Sequence, residues 1–338
     1  MRKIWTPFFV LLIAVPMEPS AQCTTSNATS CACPTGTNNC DLLPDMTTSW
    51  YAAVNYLSGP TEEVGRVYVT SSTPNIGYGP LEVRGVDMNG YRRFVCGIDT
   101  FLVYDPSASQ QFACPNGGSA KQLTTQRIFH KNGTAMTSQE RVMPQGMTYH
   151  PTHGHTHYDQ WGIFSLRMEE AGVTDPRQWP IVGQGYKLGF CLMDYYSCAS
   201  GSANHHCKDD NTTYNEGTTL YGPNFPNLGL GGSYGCSMIR QGISSGYTDV
   251  YSEYLDGMWI DLPTGTCNGD YWIVMESDPL NVVVEANEGN NWTAVPYTLT
   301  TQPSTTAQAR ITCDEQAFVC PGEQVLLKAN AGISYQWS

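Results

Sequence analysis

The run Tyr-His-Pro-Thr-His-Gly-His-Thr-His-Tyr-Asp-Gln-Trp-Gly-Ile-Phe-Ser-Leu occupies positions 149–166. Its second half, with Trp161, Ile163, Phe164 and Leu166, is a short apolar segment of strand length, too short for a packed helix. That ties the first half to a core rather than to a solvated tail. In the first half His153, His155 and His157 alternate with Gly154 and Thr156. Residues two apart on extended backbone share a face, so these three imidazoles are expected side by side within reach of one metal ion. His150 stands at odd spacing and is expected on the opposite face. Three imidazoles with a position left open suit Cu(II) or catalytic Zn(II).

The same strand signature recurs outward from this run. Residues 64–69, 81–83, 101–104, 186–192, 258–262 and 271–275 are short apolar stretches rich in Tyr, Thr and Val, separated by Gly, Pro and Asn clusters. No segment has a long helical period with caps. The expected class is all-β with long loops, in a sandwich. Arg2 and Lys3 precede an apolar stretch and a small-residue site near Ala21, which reads as a signal peptide over 1–21. A Cys-rich arm is expected over 22–40, a main domain over 41–300 and a Thr/Ser/Gln/Pro linker over 301–312. Residues 313–338 look like the start of an immunoglobulin-like β-sandwich module, of the kind appended to secreted bacterial enzymes.

Thirteen cysteines in a chain with an export signal imply disulfides and an oxidising, extracellular or periplasmic location. A net charge of −13 with only 14% charged residues argues against nucleic acid and anionic membrane surfaces as partners. No later segment is long and apolar enough to span a membrane.

Two further motifs follow the histidines: Gly185-Tyr-Lys-Leu-Gly-Phe-Cys-Leu-Met-Asp194 and Gln241-Gly-Ile-Ser-Ser-Gly-Tyr-Thr-Asp-Val-Tyr-Ser-Glu-Tyr-Leu-Asp-Gly-Met-Trp-Ile-Asp261. With the histidine run they resemble, in order and spacing, the catalytic domain of the lysyl oxidases. The resemblance implies that His153, His155 and His157 hold copper. It also implies that Lys187 and Tyr251 form the built-in cofactor lysine tyrosylquinone. A primary amine, free or a protein lysine side chain, would be oxidised by dioxygen to an aldehyde, releasing hydrogen peroxide and ammonia. A carboxylate is the expected base for the α-proton. Asp249 shares a face with Tyr251 if the segment is extended, and Asp256 also matches an acidic family position.

The resemblance further implies a calcium site joining the two ends of the domain, through Asp41, Leu42, Glu285, Asn287, Asn290 and Asn291, whose oxygen-only character suits Ca(II). Asn287 stands where the family has Asp. Other departures are Thr152 and Gly257–Met258 in place of family cysteines, and a longer 199–235 region. Cys191 and Cys198 are close enough in sequence for a local bridge. Two alternatives remain open at this point. A three-His zinc hydrolase would need a nearby carboxylate base and gives Lys187 and Tyr251 no role. A metal-binding structural or adhesion module would bind copper without forming a quinone.

Overall fold

The computed structural model describes residues 23–85, 87–88, 91–104, 112–185, 187–198, 207, 224–232 and 235–303. The expected signal peptide, most of the linker and the appended module lie outside the described residues. The described chain is almost wholly β, as its sequence indicates. One short helix, α1 (Trp50–Asn55), starts at Ser49, whose hydroxyl accepts the Ala52 N–H at 3.1 Å.

A nine-stranded sheet contains β1 (Asn39–Leu42), β5 (Leu81–Gly85), β6 (Asp87–Met88), β7 (Tyr91–Cys96), β8 (Asp99–Tyr104), β9 (Lys121–Asn132), β10 (Ala135–His150), β11 (His155–Tyr158) and β15 (Arg240–Ile243). A seven-stranded sheet runs in the order β19 (Trp292–Leu299), β18 (Gly269–Ser277), β12 (Gly162–Arg167), β13 (Ile181–Gly185), β17 (Trp259–Asp261), β3 (Arg66–Tyr68), β2 (Thr61–Glu63). A third, three-stranded sheet has β16 (Tyr247–Tyr251) between β14 (Tyr196–Ser197) and β4 (Ser71–Pro74).

The two large sheets face each other across one apolar core. Val83, Met143, Met147 and Tyr158 from the first meet Val67, Phe164, Leu166, Ile260, Ile273 and Val295 from the second. This is the sandwich the alternating pattern implies. Burying side chains such as Trp161 and Leu166 stabilises by roughly 1.5–3 kcal/mol each before ordering costs.

Three local expectations change. Residues 187–192 do not form a continuous strand. β13 ends at Gly185, and the segment after it touches the sheet through one bridge, Phe190 against Tyr158. Residues 64–69 are not one strand: 64–65 form the turn of the β2–β3 hairpin and β3 follows, with Gly65 at a φ of +83° that glycine adopts without steric cost. Disulfides join Cys23–Cys31, Cys33–Cys40, Cys96–Cys114, Cys191–Cys236 and Cys198–Cys207. Cys191 therefore reaches across 45 residues of sequence instead of closing a short loop with Cys198.

Candidate functional site

The histidine run is a hairpin tip. β10 ends at His150, residues 151–154 turn, and β11 starts at His155, directly opposite His150 in the register. Gly154 takes φ +72° in that turn. The continuous-strand expectation is corrected accordingly: His155 and His157 share a strand face, but His153 reaches them from the turn. His150 is folded back onto the same cluster, its ring 4.2 Å from that of His157 between centroids.

His157 is the hub. Its Nε2 lies 3.3 Å from His153 Nδ1 and 3.0 Å from His155 Nε2. Metal–imidazole bonds of about 2.0–2.1 Å require neighbouring ligand nitrogens about 2.8–3.4 Å apart, and both separations fall there. Burial, with a lesser contribution from Lys187, pushes the His157 imidazole down to about 2, so it presents a neutral lone pair. The donor set therefore fits a Cu(II) or Zn(II) ion. His150, His153 and His157 also present nitrogens within 4.8 Å of one another.

The lysine segment is zipped to the histidine strand. Tyr158 N–H donates to the Phe190 carbonyl at 2.7 Å, and Phe190 N–H returns a bond to Tyr158 at 3.0 Å. Lys187, 9% exposed, points its Nζ over the Tyr251 ring at 5.6 Å and over Phe190 at 5.5 Å from the centroids. Burial lowers its amine below the usual lysine range, against the opposing pull of Asp256 and Asp249. Gly257 stands where a side chain would press on Lys187, its hypothetical Cβ 3.2 Å from the lysine Cβ.

Tyr251 closes β16. Its hydroxyl accepts the Cys191 N–H at 2.7 Å and donates to the Cys191 carbonyl at 2.7 Å, and its ring meets Phe190 edge-on at 4.8 Å. Burial first, then Asp249, holds it as a neutral phenol. Asp249 lies on the same face of β16, wholly buried, with one carboxylate oxygen lacking a hydrogen-bond partner. Burial raises that carboxyl well above the ordinary range. Asp256 is instead exposed at the rim, 3.5 Å from His153 Nε2. A cavity of about 330 Å³ is lined by the three histidines, Lys187, Asp249, Tyr251 and Asp256, with Met193, Tyr195 and Leu255 as apolar walls. It brings every residue expected at the metal and quinone site to one space.

The expected calcium residues are brought together only in part. Strand β1 pairs with β9, so Asp41 opposes His130 and binds its Nδ1 at 2.8 Å, while Leu42 fills a separate apolar cluster with Phe129 and Phe225. Past Pro44 the chain turns, and Asp45 is the aspartate that meets the 285–291 turn, accepting from Asn290 Nδ2 at 2.8 Å. Glu285 accepts Met46 N–H at 2.5 Å and Asn291 Nδ2 at 2.9 Å. Asn287 is occupied in a local turn, its Oδ1 taking the Gly289 N–H at 3.0 Å. The carboxylates of Asp278 and Glu288, which sequence reading missed, come within 4.8 Å of Glu285. The side-chain oxygens of Asn290 and Asn291 are buried without a partner.

That cluster is expected to make the chelator-treated protein pH-sensitive. Burial raises Asp278 to about 7, Glu285 well above its usual value, and Glu288 in the same direction. These carboxyls ionise near pH 4 in the unfolded chain but hold their protons to higher pH when folded. Their stabilising contribution is thus full below about pH 4 and is lost as pH rises toward 7. A shift from 3.8 to about 7 at Asp278 corresponds to about 4 kcal/mol. In EDTA, the denaturant midpoint is expected to be higher at pH 5 than at pH 7.5. An Asp278→Asn variant should lose part of that difference, and Glu285→Gln a further part.

Residues 226–308 match the lysyl oxidase family model. The match contains Asp249, Tyr251 and the 285–291 turn. The histidine hairpin and Lys187 precede it and reach the same cavity through the fold. No curated protein matches the chain.

Proposed function

We propose, from the match at residues 226–308 to a family of copper amine oxidases, that this chain oxidises primary amines to aldehydes, releasing hydrogen peroxide and ammonia. The observation that carries the reading is the convergence of a lysine amine, a tyrosine ring and a three-imidazole cluster on one cavity. His153, His155 and His157 would hold copper, and Lys187 with Tyr251 would supply the quinone. Their conversion with two molecules of dioxygen to the crosslinked quinone, one water and one hydrogen peroxide balances in atoms and electrons. The quinone serves as an electrophile and two-electron sink for the amine. Asp249 is the base for the substrate's α-proton: it faces the cavity, is shielded from water, and has an oxygen free to accept. Met193, Leu255 and Tyr195 give that space apolar walls. A neutral Lys187, favoured by its burial, is the form able to bond to the tyrosine ring.

The substrate class is a primary amine, either small or on a protein lysine, and the disulfides among the described residues support an oxidising, extracellular setting. No helix among the described residues is long and apolar enough to cross a membrane. A zinc hydrolase leaves Lys187 over Tyr251 unexplained, and an inactive metal module leaves the buried Asp249 unexplained.

The test is direct. Copper-loaded protein should release peroxide when given an amine, and its digest should contain a peptide joining Lys187 to Tyr251, heavier by one oxygen and lighter by four hydrogens than the two peptides summed. His155→Ala is expected to abolish copper retention, the crosslink and peroxide release together. A copper-loaded protein lacking the crosslinked peptide would overturn the reading.

A calcium ion at Glu285, Asp278 and Glu288 is the companion proposal, supported by the buried, unpartnered oxygens of Asn290 and of Asn291, whose Nδ2 binds Glu285. Calcium at millimolar concentration should raise the thermal midpoint at pH 7.5, and Glu285→Gln should remove that rise. No shift in the parent protein would sink it.

A further inference from the structure

We infer that Gln241 is the positioning residue that sets the distance between the histidine hairpin and the Tyr251 ring, an inference that rests on the amine-oxidase reading of the cavity. Gln241 lies on β15, is fully buried, and is not among the residues that line the cavity. Its amide spans the two segments that carry the chemistry. Oε1 accepts the Leu192 N–H at 3.1 Å, and Nε2 donates to the Thr156 carbonyl at 2.8 Å, with longer contacts to Cys236 and Ser237 carbonyls at 3.2 and 3.3 Å. Thr156 is the residue between His155 and His157. Leu192 follows Cys191, whose N–H and carbonyl grip the Tyr251 hydroxyl.

A ring of connections results. Thr156 N–H donates to the Cys236 carbonyl at 3.2 Å, Cys236 is disulfide-bonded to Cys191, and Gly242 N–H donates to the Leu192 carbonyl at 3.2 Å. Gln241 crosses the middle of that ring. Both its donor and its acceptor functions are used, and in a buried site each bond is strong while each unmet partner is costly. Removing the amide leaves Leu192 N–H and Thr156 C=O without their partner; the Tyr158–Phe190 bonds and the Cys191–Cys236 disulfide still tie the two segments, but the spacing at Cys191, where Tyr251 is held, is no longer fixed. The histidines remain together, because backbone pairing of β10 with β11 holds them. The element that shifts is the tyrosine relative to the metal. Reactions between fixed groups lose about 100-fold for a misplacement of about 1 Å.

The experiment compares Gln241→Met, which keeps the shape without hydrogen bonds, with Gln241→Glu, which keeps the acceptor for Leu192 and loses the donor toward Thr156. Arg167→Met removes buried hydrogen bonds to Ser165, Arg177 and Trp179 and serves as a destabilised control away from the cavity. Each metal-free protein is loaded with Cu(II) without oxygen, its copper affinity is measured by chelator competition, and oxygen is then admitted. Expected for Gln241→Met is copper affinity within about 3-fold of the parent with quinone appearing, as phenylhydrazine-reactive sites per copper, at least about 10-fold more slowly. Gln241→Glu should fall between the two, and Arg167→Met should form quinone at the parent rate.

Parent-like quinone formation in Gln241→Met, or a loss that only tracks weaker copper binding, would overturn the inference. A parent protein that binds copper and forms no quinone overturns the amine-oxidase reading instead. Copper-induced broadening of the ¹⁹F signal of 3-fluorotyrosine at position 251, identified by its loss in Tyr251→Phe, then judges the positioning role. Weaker broadening in Gln241→Met supports it, and unchanged broadening overturns it.

Discussion

Tyr251→Phe is expected to give a folded, copper-binding protein with no phenylhydrazine-reactive group and no amine-dependent peroxide release. The ring of Phe lacks the phenolic oxygen that quinone formation starts from, so the loss is to background rather than partial. A structural cost accompanies it. The Tyr251 hydroxyl satisfies both the N–H and the carbonyl of Cys191 at 2.7 Å, in a part-buried position. Leaving those groups without a partner costs roughly 1–3 kcal/mol, a shift readable in a denaturant titration. Copper affinity, set by the hairpin, should stay within about 3-fold on the separation of the two segments argued above. Tyr254, close in sequence but 70% exposed, is the control, and Tyr254→Phe should keep full activity. A Tyr251→Phe protein that still releases peroxide at the parent rate per copper ion removes Tyr251 from the chemistry.

The same residue illustrates what the sequence discloses. β16 is a single extended segment, so the placing of Asp249 and Tyr251 on one face follows from two-residue spacing alone. The histidine run is legible in its chemistry but not in its path. Spacing puts His150 on the wrong face of a continuous strand, whereas the turn at 151–154 folds it back against His157. The β9–β10 hairpin, the longest pairing in the first sheet, is not legible in the sequence for a different reason. The inward positions of β9 include Gln122, Thr124 and Gln126, buried yet polar, so the alternation of burial is not an alternation of hydrophobicity. Non-local closure hides the rest. Nothing near Asp41 or Asp45 tells which of them meets a turn some 240 residues later; pairing of β1 with β9 decides it. Likewise Cys191 pairs with Cys236, 45 residues on, and not with the nearer Cys198, a choice that sequence distance does not disclose.

Asp249→Asn is expected to lower kcat by about 10²–10⁴-fold with little change in KM, the range for removing a positioned general base. The amide nearly matches the carboxyl in size, so the cavity keeps its shape and the quinone should still form. The sign of the pH dependence follows from the burial that raises this carboxyl well above the ordinary range. A base acts when ionised, so kcat/KM should climb with pH through the Asp249 pKa, placing the acid limb of the profile above where an exposed aspartate would put it. In Asp249→Asn that limb should vanish, leaving a low, flatter profile. Asp256→Asn separates the two carboxylates: exposed at the rim, Asp256 should affect the capture of cationic amines, raising KM, while leaving the acid limb in place. Rates are to be expressed per phenylhydrazine-reactive site, so that impaired cofactor formation is not mistaken for impaired turnover. If Asp249→Asn turns over within about 3-fold of the parent on that basis, proton abstraction belongs to another group.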